Sequence, residues 1–123
     1  MLNAYCQNVT LTEMSPVPFN NVTLVKGCTA VLSGDSTIQL NKCGVYMVSC
    51  NASASSAATI QLYKDGVAQA QAQATGTAPS FTTLVQVPQT NTCDPCTSPV
   101  RLQIMSVTAG TYTDAAVTVT KVV

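Results

Sequence analysis

The sequence has 123 residues, of which 46% are hydrophobic and only 8% are charged, and its net charge is zero. A chain of this length has room for one hydrophobic core, so we expect a single domain over residues 1–123. Five basic residues balanced by five acidic ones provide no basic stripe for a phosphate backbone, and nucleic acid is not an expected partner. No apolar run approaches the roughly 18 residues of a membrane-spanning helix, so no membrane partner is expected either.

Strands are the predicted elements throughout. Valine and threonine supply 34 residues, and their branched side chains favour the pleated surface of a sheet. The first half of the chain contains three alternating apolar pairs, Val9 with Leu11, Val22 with Leu24, and Ile38 with Leu40. Alternation of this kind, bounded by Gly, Pro, Asn or Asp, is typical of short antiparallel strands. Residues 1–12 are then either the first strand or an N-terminal arm.

From Gly44 the alternation becomes sharper. Tyr46 and Val48 lie on one face of the predicted strand, and Val45 and Met47 lie on the other. Both faces begin apolar, so we expect the start of this strand to be central in its sheet and covered on both sides.

A hairpin follows, with its turn at Lys64-Asp65-Gly66. After the turn, alanine alternates with glutamine as far as Ala74, a period of two that indicates a strand although both residue types favour helix. Further strands follow in the last third of the chain. Eight residues share the apolar faces of the best-defined strands and are the predicted core: Tyr46, Val48, Ile60, Leu62, Leu102, Ile104, Val117 and Val119.

The order of motifs along the chain resembles the jelly-roll domains of the tumour necrosis factor and complement C1q superfamily, especially their bacterial and phage versions. The resemblance lies in Pro18-Phe19-Asn20, in Gly44-Val45-Tyr46, in the hairpin that ends at Gly66, and in a closing strand from Ala115 to Val119. It implies an all-β, antiparallel two-sheet jelly-roll sandwich of about ten short strands. It also implies a homotrimer used for display, adhesion or capping, with no enzymatic activity.

The residue types argue against catalysis as well. The sequence contains no histidine, so a Ser-His-Asp or Cys-His arrangement cannot form. Four of the five acidic residues, Asp35, Asp65, Asp94 and Asp114, lie in or beside predicted turns, where aspartate is favoured for its own backbone bonding. We therefore expect no cofactor and no enzymatic activity.

The six cysteines leave alternatives open. Cys93 and Cys96 form a C-x-x-C motif in a predicted loop, where they are candidates for a loop disulfide. They could also supply half of a zinc site, although a structural zinc needs two more ligands. Cys43 and Cys50 are an odd number of residues apart, so on a regular strand they face opposite ways and cannot pair with each other. Cys50 is expected to be buried and unreactive.

Low charge, an N-terminus without the pattern of a signal peptide, and the resemblance together favour a phage virion protein. We expect a homotrimer, made in the host cytoplasm, that decorates a capsid or caps a fibre, with residues 1–12 free to meet the capsid or fibre protein. A bacterial surface or spore-coat adhesion domain is the alternative. A carbohydrate-binding module is a third, less supported class, because the sequence has no tryptophan and four tyrosines for stacking on a sugar.

Overall fold

The computed structural model describes residues 1–27, 30–34, 36–87 and 100–123. These residues form strands and turns, and among them there is no helix that could cross a membrane. The strands are β1 (Leu2–Leu11), β2 (Ser15–Pro16), β3 (Asn21–Val25), β4 (Ala30–Ser33), β5 (Thr37–Leu40), β6 (Gly44–Ala54), β7 (Ala58–Lys64), β8 (Val67–Gly76), β9 (Ser80–Val87), β10 (Val100–Ser106) and β11 (Gly110–Lys121).

The strands form two antiparallel sheets that pack face to face. The front sheet has the order β3-β1-β11-β6-β9, and the back sheet has the order β4-β5-β10-β7-β8 with the short β2 paired to β10. Strands that are distant in the sequence are neighbours here, since β11 lies between β1 and β6. The predicted all-β, two-sheet jelly roll is confirmed.

The core lies between the two sheets. All eight residues predicted for it are buried, with exposures of 1% or less. Other large side chains of the core were not predicted, among them Phe19 and Tyr112. The Tyr112 hydroxyl lies 2.8 Å from the Ser106 hydroxyl, which donates to the Thr108 carbonyl oxygen at 2.6 Å. This pair satisfies the polar atoms of a buried serine. Each buried Leu or Ile of the core contributes about 1.5 to 3 kcal/mol to the free energy of unfolding.

The N-terminal segment is a core strand. Leu2, Ala4 and Cys6 are fully buried, and β1 pairs with β11 on one side and with β3 on the other. The expectation that residues 1–12 are free to meet another protein is therefore wrong, and the alternative of a first strand describes them. The alternation of buried and polar residues from Leu2 to Gln7 indicated this, but the apolar members include two small residues and the pattern is weak.

Strand β8 follows the predicted hairpin, but its register is irregular. Gln61 pairs with Gln73 and Tyr63 pairs with Ala68, so β8 has four residues where β7 has only Leu62. This bulge breaks the single alanine face that strict alternation would produce, and of these alanines Ala72 is buried while Ala68 is exposed.

Candidate functional site

The outer face of the front sheet is the candidate functional surface, and we call it the front face. Its side chains alternate with the core residues of β1, β6, β9 and β11, and β3, all of whose residues are exposed, extends the face at one edge. They are Asn3, Tyr5 and Gln7 of β1, Leu24 of β3, Val45, Met47, Ser49, Asn51 and Ser53 of β6, Ser80, Thr82, Leu84 and Gln86 of β9, and Asp114, Ala116, Thr118 and Thr120 of β11. Asp114, near one end, is the one charged residue in this set.

Small polar groups on the front face bond to one another across the strands. The Thr118 hydroxyl donates to the Asn3 amide oxygen at 3.2 Å, and the hydroxyls of Ser49 and Thr82 lie 3.2 Å apart. Such pairs satisfy polar groups within the sheet. They therefore lower the cost of covering this face with another protein surface.

Exposed apolar side chains are concentrated around the front sheet. Met47 and Leu84 are direct partners across β6 and β9, and they are 37% and 60% exposed. The expectation that the start of β6 is covered on both sides therefore fails for the isolated chain, because one face carries an exposed Met47. The large hydrophobic residues with high exposure that belong to or flank front-sheet strands are Met1, Val22, Leu24, Val25, Met47, Leu84, Val122 and Val123, whereas Met14 and Val67 lie elsewhere.

The cysteines are divided between thiols and a disulfide. Cys6 and Cys50 are free and buried, and burial, with a smaller contribution from Cys6, raises the pKa of Cys50 to about 12. Cys43 is disulfide-bonded, and neither Cys6 nor Cys50 is its partner, because both of these are free. Cys43 and Cys50 are thus not paired with each other.

The C-x-x-C motif of Cys93 and Cys96 lies outside the described residues, so the loop disulfide and the zinc alternative both remain predictions. Within the described ranges, no group of three or more His, Cys, Asp or Glu side chains is placed to hold a metal ion.

A shallow polar depression of about 330 Å³ lies on the back sheet, lined by Thr37, Asp65, Gly66, Arg101 and Gln103. Two hydrogen bonds join residues of its lining. The Arg101 backbone N–H donates to the Asp65 carboxylate at 2.9 Å, and the Gln103 amide donates to the Thr37 hydroxyl at 3.4 Å. These five residues include no aromatic side chain to stack on a sugar ring, so the depression gives the carbohydrate-binding alternative no support.

The strand order and the two-sheet packing define a jelly roll, and its fold is similar to that of C1q and TNF-like domains. The globular domain of zebrafish complement 1qA protein superposes with a TM-score of 0.77 at 10% identity, over 99% of this chain and 96% of that one. Rabbit GITRL superposes with a TM-score of 0.61 at 10% identity, over 100% and 95% of the two chains. Murine APRIL gives 0.61 at 9% identity, over 98% of each chain.

These similarities concern the fold. No protein-family model matches the sequence, and comparison with curated proteins finds no significant match. At about one residue in ten identical, the chain shares the fold of these domains.

Proposed function

We propose that the chain is a non-enzymatic structural protein that assembles as a homotrimer through its front face and serves as a decoration or fibre-capping protein of a phage virion. The observation that carries this proposal is the front face itself, a broad sheet surface with a single charged residue and an exposed Met47–Leu84 pair. A surface of this kind lacks the charge repulsion that keeps soluble chains apart.

Copies of the same chain are the occupants that fit this face. With Asp114 as its one charged residue, the front face has little charge for a different protein to complement, and removing its exposed apolar pair from water is favourable. The resemblance to C1q and TNF jelly rolls supports a threefold arrangement, in which each copy contributes the same surface around one axis. A specific interface of this type should bury more than about 1,000 Å² in total.

The trimer is tested by one substitution and a matched control. Leu84→Glu places a charge on the front face at a residue that is 60% exposed, and Val67→Glu places the same charge on the back sheet at a residue that is 63% exposed. Because both sites are open in the single chain, neither change should unfold it. We expect Leu84→Glu to shift the mass measured by light scattering from trimer to monomer, and Val67→Glu to leave the trimer intact.

A wild-type chain that has a monomer mass at micromolar concentration would contradict the trimer. Equal dissociation by the two variants would contradict the choice of the front face.

The virion role requires a separate measurement. Immunogold labelling of phage particles and of the host cells should place the protein on the particle at regular positions. Labelling of the bacterial or spore surface, with unlabelled particles, would support the adhesion alternative instead.

A further inference from the structure

The basic residues of this neutral chain are collected at one end of the sandwich. They lie at strand termini: Lys26 follows the last residue of β3, Lys42 precedes the first residue of β6, Lys64 and Lys121 end β7 and β11, and Arg101 is the second residue of β10. In the front sheet the register places the end of β11 beside the starts of β1 and β6. In the back sheet Leu102 pairs with Lys64, so Arg101, at the start of β10, lies beside the end of β7.

A hydrogen bond between the sheets shows that the basic residues of both sheets lie at the same end of the sandwich. The Lys64 ammonium group donates to the Gln86 carbonyl oxygen at 2.7 Å, from the end of β7 to the end of β9 in the other sheet. The Lys121 side chain lies over Gly44, which pairs with Val87 at the end of β9. The ammonium groups of Lys64 and Lys121 therefore lie near neighbouring residues at the same end of the front sheet. We call this set the basic end, consisting of Lys26, Lys42, Lys64, Arg101 and Lys121.

Acidic groups do not neutralise the basic end within the described part of the chain. Asp65 is also there, but its carboxylate accepts the Arg101 backbone N–H and serves the turn. Glu13 and Asp114 lie at the opposite end, since Leu11 of β1 pairs with Gly110 at the start of β11. None of the five basic side chains forms an ion pair with a described residue. Collecting like charges at one end costs some stability through self-repulsion, and a purely structural role gives no reason for it.

We propose that the basic end is a docking surface for an acidic protein surface. The strands of the sandwich would then run roughly perpendicular to the surface of that partner. The chain as a whole is neutral, so it has no long-range attraction for an extended polyanion, and the separated charges act only within about a Debye length of 10 Å. This favours a folded surface of similar width over a nucleic acid. The basic end is also distinct from the front face, so both surfaces can be occupied at once.

This inference rests on the proposed function only in assigning the acidic surface to the virion, because the charge separation belongs to the single chain. In a threefold assembly whose axis runs along the strands, the three basic ends would face the same way. The trimer would then meet its target with three times as many cations as one chain.

The test uses two variants with the same net charge. Lys26→Gln, Lys42→Gln and Arg101→Gln together remove three exposed cations from the basic end, which lowers the net charge from zero to minus three. Ser56→Glu, Thr77→Glu and Ala109→Glu together add three carboxylates in exposed turns at the opposite end, which also gives minus three. Melting temperature and light scattering establish that both variants fold and assemble like the wild type.

The probe is a flat carboxylate-terminated monolayer in a surface plasmon resonance cell, with immobilised duplex DNA in a parallel channel. At low ionic strength we expect the wild type to bind the carboxylate surface and the basic-end variant to lose about tenfold or more in affinity. The opposite-end variant should stay within about threefold of the wild type.

Equal losses in the two variants would overturn the proposal, because net charge alone would then explain the binding. Tighter binding to DNA than to the carboxylate surface would overturn the choice of an acidic protein. A chain that is monomeric but still binds through its basic end would refute the trimer and leave this inference standing.

Discussion

Two buried thiols lie in the front sheet, and their environment decides their chemistry. Cys50 is 1% exposed and Cys6 is fully buried. Burial raises the pKa of Cys6 as well, with Asp114 adding to the effect. Because the thiolate is the reactive form, both thiols should be inert in the folded protein. Because Cys93 and Cys96 lie in a predicted loop, we expect them to be the first cysteines to react with a thiol reagent.

The raised pKa of Cys50 predicts a loss of stability at alkaline pH. The unfolded thiol ionises near its ordinary value of 9.0, whereas the folded one keeps its proton up to about 12. Between these values the folded state binds one more proton than the unfolded state, so stability falls as pH rises. For this group alone the loss from pH 8 to pH 10 is about 1.4 kcal/mol.

Urea unfolding of the wild type and of Cys50→Ala at both pH values measures this contribution. The alanine variant should be less stable at pH 8 because it leaves a small cavity, but it should lose about 1.4 kcal/mol less than the wild type on going to pH 10. If the two proteins lose the same unfolding free energy between pH 8 and pH 10, the Cys50 thiol does not have the raised pKa of a buried group.

At the scale of elements, the C-terminal residues extend the pairing of β6 beyond β11. The Val122 N–H donates to the Val45 carbonyl oxygen at 2.8 Å, and the Val45 N–H donates to the Val123 carbonyl oxygen at 3.3 Å. Gly44 makes this approach possible, because a Cβ atom there would collide with the Val123 carbonyl oxygen and lie 2.8 Å from the Lys121 Cε. Its φ of +141° is also a conformation that favours glycine.

Gly44→Ala should therefore lower the free energy of unfolding by about 1 to 3 kcal/mol through backbone strain, and displace the last two residues in addition. Gly110→Ala is the matched control, because its Cβ would meet the Ala58 Cβ at an ordinary 3.9 Å. The control should stay within about 0.5 kcal/mol of the wild type.

Deletion of residues 122–123 separates the two effects of Gly44→Ala. The deletion should cost the wild type more than it costs the Gly44→Ala variant, in which those residues are already displaced. Strictly additive effects in urea unfolding would mean that the collision is relieved without moving the C-terminal residues.

At the scale of the whole molecule, the two proposed surfaces differ in the force that would act on each. The front face is uncharged apart from Asp114, so contact between copies there depends on burial of apolar and hydrogen-bonded polar groups. The basic end has a surplus of positive charge, so its contacts depend on electrostatics. Under the two proposals, the same chain would use one surface for permanent assembly and the other for placement on a target.

Ionic strength should affect the contacts of the two surfaces differently in the same protein. Raising the salt concentration from 20 mM to about 500 mM shortens the Debye length to less than about 5 Å, which screens exposed charges. We expect binding to the carboxylate monolayer to fall by about tenfold or more, while the mass measured by light scattering stays that of the trimer. A trimer that dissociates in salt would show that charged contacts hold it together.

Local patterning in the sequence predicted most of the strands and the inward faces of the most regular ones, although the alternating Val22 and Leu24 of β3 are exposed. Alternation of apolar and polar residues is set by the pleat of each strand, so Tyr46, Leu62 and Val117 could be assigned to the core without knowing which strands pair. Segments with less regular alternation were harder to interpret, and Phe19 and Tyr112 were not assigned to the core. Residues 1–12 were left as an arm or a strand for the same reason.

Strand order and register are decided by contacts between distant parts of the chain, and they determined what local patterning could not. That Met47 meets Leu84 on a face with a single charged residue follows from the pairing of β6 with β9. The gathering of five basic residues at one end follows from the antiparallel direction of strands that are far apart in the sequence. The sequence by itself determined which residues are buried in the strands that alternate most regularly, because burial repeats with the pleat, but only the tertiary structure decided which exposed residues become neighbours.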